Sequence, residues 1–212
     1  MQNERMQAVV LTLSGMHGGI CMAVYSEQEN KLYRLVGDEN GSPMPRILLY
    51  ELDLLDLIEF VPTGCLALGP QTENIVIDMK EGIKKIGHYR GTIGDIYNSI
   101  YCGRTIDGTI FGTIGYKLDE LVSLNYSLEI CKVNNMVIRK EQKSDGTPTG
   151  KAYFYCNGKR HIEYSVTDFG HDIRELDIKK MNIGNAYIVV SIPKEPLEGY
   201  GYYKFVSAIY EV

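Results

Sequence analysis

Three stretches of the sequence carry side chains whose types and spacing could do chemistry. His17-Gly18-Gly19 sits between two apolar runs. Paired glycines let a backbone turn with its N–H groups converging, a nest that holds a phosphate or carboxylate, and His17 adds a donor near neutral pH. Gln71-Thr72-Glu73-Asn74 sets four hydrogen-bonding side chains in a row before an apolar strand. Side-chain amides read base edges with paired hydrogen bonds, and a carboxylate accepts from an amino group. Lys151-Ala152-Tyr153-Phe154-Tyr155-Cys156 alternates, so Ala152, Phe154 and Cys156 are expected to face a core and Lys151, Tyr153 and Tyr155 the opposite side. A cation among aromatics holds a single strand by stacking and phosphate attraction.

Each stretch has a structural counterpart. The glycine pair also suits a tight turn with positive φ. Thr72 and Asn74 also serve to satisfy backbone groups in a turn, with Glu73 pairing a buried arginine such as Arg34. With both readings combined, Arg34 and Glu73 form a pair beside the ligand. Strand tyrosines also pack across strands. His161, Asp168 and His171 are close in sequence but repeat no metal-ligand spacing, and they are expected to be surface or capping residues. No phosphate loop, dinucleotide fingerprint, nucleophile elbow or H-E-x-x-H is present, so no catalytic residue, metal or cofactor is assigned.

The elements that must position these residues are mostly strands. Strands are expected at Met6–Leu13, Ile20–Ser26, Leu32–Val36, Leu54–Val61, Ile75–Ile77, Tyr126–Val133, Asn135–Glu141, Lys151–Cys156, His161–Val166, Ala186–Ile192 and Tyr202–Glu211. Glu29-Asn30 and Asp107-Gly108 read as hairpin turns. A helix is predicted after Thr92, with Asp95 completing its cap, apolar residues from Ile93 to Tyr101 at helical spacing and Gly103 as the stop. A second capped helix is predicted from Asp172, with Glu175 in its first turn and Gly184 beyond its end. Residues 112–123 read as a junction, which divides the chain into 1–118 and 119–212. Each half then holds several meandering strands and one short helix, the arrangement of a small OB-like barrel. The expected fold is mainly β, two such barrels in tandem.

Composition narrows the function. Net charge is −5, with 10 Lys/Arg against 16 Asp/Glu in residues 1–120 and 12 against 11 in residues 121–212. Phosphate neutralisation therefore suits the second half better than the first. No run of 18 apolar residues and no secretory leader is evident. Five widely spaced cysteines without a C-x-x-C pair point to buried, reduced thiols in the cytoplasm.

Several motifs in chain order resemble the bacterial dual OB-containing domain family. They are Ser14-Gly15-Met16-His17-Gly18-Gly19-Ile20-Cys21, Tyr33-Arg34, Pro45-Arg46, Leu54-Leu55-Asp56-Leu57-Ile58-Glu59, Gln71-Thr72-Glu73-Asn74 and Ile77-Asp78. Tyr155-Cys156-Asn157-Gly158, Val166-Thr167-Asp168, Pro196-Leu197-Glu198-Gly199-Tyr200 and the run Tyr203 to Ile209 follow. Tyr33 stands where the family pattern has tryptophan, and residues 80–116 fit it less closely. The resemblance implies two OB-like units and a nucleic-acid or nucleotide-binding role in prokaryotic conflict or defence. Three readings stand. The first is a module for single-stranded nucleic acid or a nucleotide-derived ligand, engaged by the second barrel. The second is a protein-interaction or antitoxin-like subunit whose acidic first half meets a basic partner. The third is a nucleotide-modifying enzyme using His17 as acid–base and Gln71 to Asn74 as its recognition strip.

Overall fold

The computed structural model describes residues 4–16, 18–104, 107–118, 124–174, 176–197 and 201–212. His17, Glu175 and Glu198 to Tyr200 lie outside the described residues, as do 105–106 and 119–123. The chain divides into two units, Met1–Cys102 with Asn125–Leu128, and Gly103–Leu124 with Glu129–Val212.

Unit 1 contains β1 (Met6–Met16), β2 (Gly19–Ser26), β3 (Lys31–Val36), β4 (Asp56–Phe60), β5 (Pro62–Leu68), β6 (Gln71–Ile77), β7 (Ile83–His88) and helix α1 (Ile93–Tyr101). The sheet runs β5-β6-β3-β2-β1-β4-β7. Only Val61 separates β4 from β5, yet β4 pairs with β1 and β5 with β6. One bent strand thus carries the order from β6 back to β1. Pro62, which has no N–H to donate, stands where the change of partner occurs. Alternate residues of β1 and β2, including Val10, Met22 and Val24, join Leu35, Ile58, Phe60, Ile75 and Ile77 in the core. Val9 and Leu11 are buried as well, so the continuous apolar run of β1 is covered on both faces. Helix α1 has the expected capping box: Thr92 Oγ1 accepts from Asp95 N, and the Asp95 carboxylate accepts from Thr92 N at 2.7 Å. Such a cap contributes about 1 kcal/mol.

Unit 2 contains β8 (Lys117–Leu118), β9 (Leu128–Gln142, whose first residue belongs to unit 1), β10 (Pro148–Cys156), β11 (Lys159–Val166), β12 (Lys180–Ser191), β13 (Tyr202–Tyr203) and β14 (Phe205–Glu211). Five of these close a barrel in the order β10-β11-β14-β12-β9, while β8 and β13 form a separate ribbon. Its core includes Val133, Met136, Ile138, Phe154, Tyr164, Ile188 and Val206. In both units the first, second and third strands are consecutive neighbours. In unit 2 the third (β11) runs parallel to the last (β14), which pairs with β12, and β12 returns to β9. In unit 1 β3 runs parallel to β6, β6 pairs with β5, the bent β5–β4 strand returns to β1, and β7 is added beside β4. That shared Greek-key order is the OB-like arrangement expected from the sequence.

Some local expectations are corrected. The strands predicted at 126–133 and 135–141 are one strand, β9, kept continuous by a bulge where Asn135 adopts φ 52°. Among the described residues no helix starts at Asp172: its carboxylate holds the Arg174 guanidinium and backbone N–H, and β12 already begins at Lys180 with Gly184 inside it. A side chain that binds its own neighbouring backbone competes with helix formation. Lys204 divides the expected last strand into β13 and β14. Asp107-Gly108 joins no hairpin among the described residues, because Asp107 accepts from Thr109 N and Ile110 bridges only Thr113. Strands β5 and β7 were not foreseen. Cys131 and Cys156 are buried as expected, but Cys65 and Cys102 are exposed. Among the described residues no helix is long and apolar enough to cross a membrane.

Candidate functional site

The Gln71–Asn74 strip opens β6, and the structure buries all of it except the exposed Thr72 in unit 1. Arg34 on β3 is the register partner of Asn74, and both are buried together with Gln71 and Glu73. Ser127 lies between the two charges: Arg34 Nη2 donates to its Oγ at 2.9 Å, while its N–H (2.9 Å) and its hydroxyl both donate to Glu73 Oε1. The anticipated arginine–glutamate pairing is therefore mediated by Ser127. Thr72 Oγ1 donates to the Asn125 carbonyl at 2.5 Å, so this end of β6 pins residues 125–127. Arg34 Nε, Glu73 Oε2 and Asn74 Oδ1 are buried without a hydrogen-bond partner among the described residues. Burial pushes the nearby Cys21 thiol up, against the pull of Arg34.

The glycine pair has a packing role on the same unit. Gly18 adopts φ 84° in the turn between β1 and β2. At Gly19 a Cβ would come within 2.6 Å of the Met44 carbonyl. The approach is that close because Ile20 and Met44 exchange two backbone hydrogen bonds, of 2.8 and 2.9 Å. His17 itself is outside the described residues.

The third stretch has the predicted facing. On β10, Ala152, Phe154 and Cys156 are buried in the barrel core, while Lys151, Tyr153 and Tyr155 are partly or fully exposed. Asn157 and Gly158, at φ 45° and 81°, make the two-residue turn into β11. That turn pairs Tyr155 with Arg160, and on the other side Tyr155 pairs with Asn134 of β9. Tyr155 is 39% exposed and so stands between an exposed guanidinium and an exposed amide. Tyr153 is more constrained. Its hydroxyl donates to the Glu141 carboxylate, Arg139 lies 4.9 Å from its ring centroid, and burial with Glu141 pushes its pKa up to about 12. Lys151 donates to Ser165 Oγ at 2.9 Å and lies 5.5 Å from the Tyr116 ring, and burial lowers its pKa. Arg139, Arg160 and Asn134 were missed in the sequence. The signal for Arg160 was the Asn157-Gly158 turn, which fixes the register.

Unit 2 also holds buried polar groups that single out no site by sequence. Of the residues expected to be surface or capping groups, His161 and Asp168 are buried, and Asp168 caps its turn by accepting from Gly170 N at 3.1 Å. His161 Nε2 faces the Gly108 carbonyl at 2.9 Å, its Nδ1 faces the Tyr164 hydroxyl at 2.9 Å, and burial lowers its pKa. Asp168 accepts from Ile209 N at 3.0 Å and holds His171 Nδ1 at 2.7 Å, which raises the His171 pKa against the effect of burial. Lys204 is fully buried, with Nζ donating to Ile110 O, Thr113 O and Thr113 Oγ1 at 2.6, 2.9 and 2.7 Å. Burial pushes its pKa down to about 8, and it pushes that of nearby Glu129 up to about 7. These groups are enclosed and bonded to the protein, an arrangement that positions loops.

The two polar stretches thus differ in what they offer. The strip of unit 1 is enclosed and partly occupied by the chain's own Ser127, whereas the β9-β10-β11 face presents aromatic rings, cations and an amide to solvent. Among solved structures, the chain is similar to the crystal structure of the tetrameric p202 HIN2, at 9% identity and a TM-score of 0.37, over 100% of this chain and 93% of that one. No curated protein matches it. The model of the dual OB-containing domain matches residues 6–209, and the chain belongs to that family.

Proposed function

We propose that this protein binds single-stranded nucleic acid on the outer face of β9, β10 and β11. The observation that carries the reading is the exposed Tyr155 ring, flanked in register by Asn134 and Arg160. A ring stacks on any base, a guanidinium neutralises phosphate, and an amide reaches a base edge. Arg139 and Lys151 extend the positive charge along the same face, next to Tyr153. The charge balance of unit 2 supports this: it has 14 Lys/Arg and 14 Asp/Glu, whereas unit 1 has 8 against 13.

Fluorescence anisotropy with a labelled oligothymidylate tests the proposal. Neutralising about three phosphates on a single strand gives a slope of about −2 in log K against log salt, or about twentyfold weaker binding at 200 mM than at 50 mM. The Tyr153→Ala, Tyr155→Ala double variant is expected to bind at least about tenfold more weakly. Binding by the double variant equal to that of the wild type would remove the stacking role. A mononucleotide that competes as strongly as the oligomer would instead favour a nucleotide-derived ligand.

A further inference from the structure

The β8–β13 ribbon carries a second group of aromatics and cations. Tyr116 precedes β8, and Tyr203 on β13 pairs in register with Lys117 on β8. The Tyr116 and Tyr203 ring centroids are 5.5 Å apart with planes inclined at 35°, and Lys117 Nζ lies 5.6 Å from each. Lys151 Nζ lies 5.5 Å from the Tyr116 ring. The cation at the head of the β10 face is thus also the cation beside the ribbon, and the two groups share it.

The ribbon is short but held. Two residues per strand have almost no stability of their own. Backbone and buried charge supply what is missing: Lys204 N donates to Tyr116 O at 2.8 Å, and its ammonium is fixed by the Ile110 and Thr113 oxygens. An ammonium buried in this way has a desolvation penalty that apolar packing would avoid. Its effect is to hold Tyr116 and Tyr203 in place before any ligand arrives, and pre-ordered side chains lose less entropy on binding.

Resting on the binding face proposed above, we infer that Tyr203, Tyr116 and Lys117 form a second stacking and phosphate subsite for the same single strand, reached through Lys151. From Lys151 to Tyr155 the β10 face spans about 13 Å at the rise of an extended strand. A very short oligomer fills that face alone, and a longer one continues onto the ribbon. Single barrels of this kind cover roughly 4 to 16 nucleotides.

The test compares oligothymidylates of three and ten nucleotides on wild type, Tyr203→Ala, Lys117→Gln and Tyr155→Ala, with near-ultraviolet circular dichroism to confirm packing. Tyr203→Ala is expected to lose about tenfold in affinity for the ten-mer and nothing for the three-mer. Lys117→Gln is expected to flatten the ten-mer salt slope by about 0.7 and leave the three-mer slope alone. Tyr155→Ala weakens both. If Tyr203→Ala and Lys117→Gln bind the ten-mer as wild type does while Tyr155→Ala is weakened, the ribbon subsite is overturned and the β10 face stands. If wild type binds neither oligomer, the face itself is wrong and the ribbon proposal falls with it.

Discussion

Strands β2 and β10 hold the same place in the same strand order, and their outer faces are built for opposite purposes. On β2 the residues turned away from the core, Ala23 and Tyr25, are buried, and the Tyr25 hydroxyl is bonded to Asn30 at 2.9 Å. On β3 beside it, Arg34 is 5% exposed and tied to Ser127. On β10 the corresponding outward residues are Lys151, Tyr153 and Tyr155, and on β11 they include the exposed Arg160. A shared topology therefore fixes where a face lies and leaves open whether it is covered. Covering converts polar residues into clamps, and leaving them open keeps cations and rings available to a ligand.

The largest expected contrast concerns stability. Glu73→Ala leaves the Ser127 N–H and hydroxyl without their acceptor and the buried Arg34 without an opposite charge beyond Ser127, and it is expected to destabilise the protein by about 3 kcal/mol, read by urea unfolding. Tyr155→Ala touches only an outer face and should change stability by less than about 0.5 kcal/mol. If Glu73→Ala stays folded and weakens oligonucleotide binding as much as Tyr155→Ala does, the contrast between the units breaks. Lys204→Met sharpens it from the other side. The variant removes the donor to the Ile110 carbonyl and to both Thr113 oxygens and should cost about 2 to 3 kcal/mol, while loosening the ribbon enough to weaken binding of long oligomers.

A smaller contrast appears with pH, between an acid window at Asp56 in unit 1 and a near-neutral window at His171 and Glu129 in unit 2. Burial alone would raise Asp56 of β4, but the Asp53 amide, Lys85 and His88 outweigh it and hold its pKa below the ordinary 3.8. Its contribution is present above that value and is lost as pH falls through the folded pKa. In unit 2, His171 is raised above 6.5 by Asp168, so its contribution is full below 6.5 and is lost as pH rises through the folded pKa. Glu129, raised to about 7 from 4.5, holds its proton more tightly when folded, so stability falls across that window as pH rises. Protection factors from hydrogen exchange, read peptide by peptide, should therefore drop in unit 1 toward acid and in unit 2 between pH 5 and 8. The Glu129→Gln variant should remove part of the unit 2 slope. Unit 2 protection that rises from pH 5 to 8 would contradict these assignments.

Much of this architecture could be read from residue patterns, for identifiable reasons. The α1 cap was legible because Thr92 and Asp95 have a fixed spacing, and the facing of β10 because period-two alternation is rigid. The helix expected at Asp172 failed because Arg174 takes the Asp172 carboxylate and β12 starts early. Strand β5 was hidden because Pro62 and Gly64 read as a stop, although the strand begins at the proline and changes partner there. The strip at Gln71–Asn74 was visible as unusual, but its burial was not, since Ser127 reaches it from 54 residues away from Glu73. Local sequence carries no record of such a return. The anchoring by Lys204 was hidden for the same reason: its acceptors lie 91 and 94 residues earlier.

Photochemical cross-linking of a 4-thiothymidine oligonucleotide, followed by peptide mass spectrometry, examines the division between the faces most directly. Adducts are expected on the peptides carrying β10 and β11, with Tyr155 as the principal site and the yield falling as salt rises. Adducts confined to the peptides of β2, β3 and β6 would show that the covered unit holds the ligand and would contradict the account.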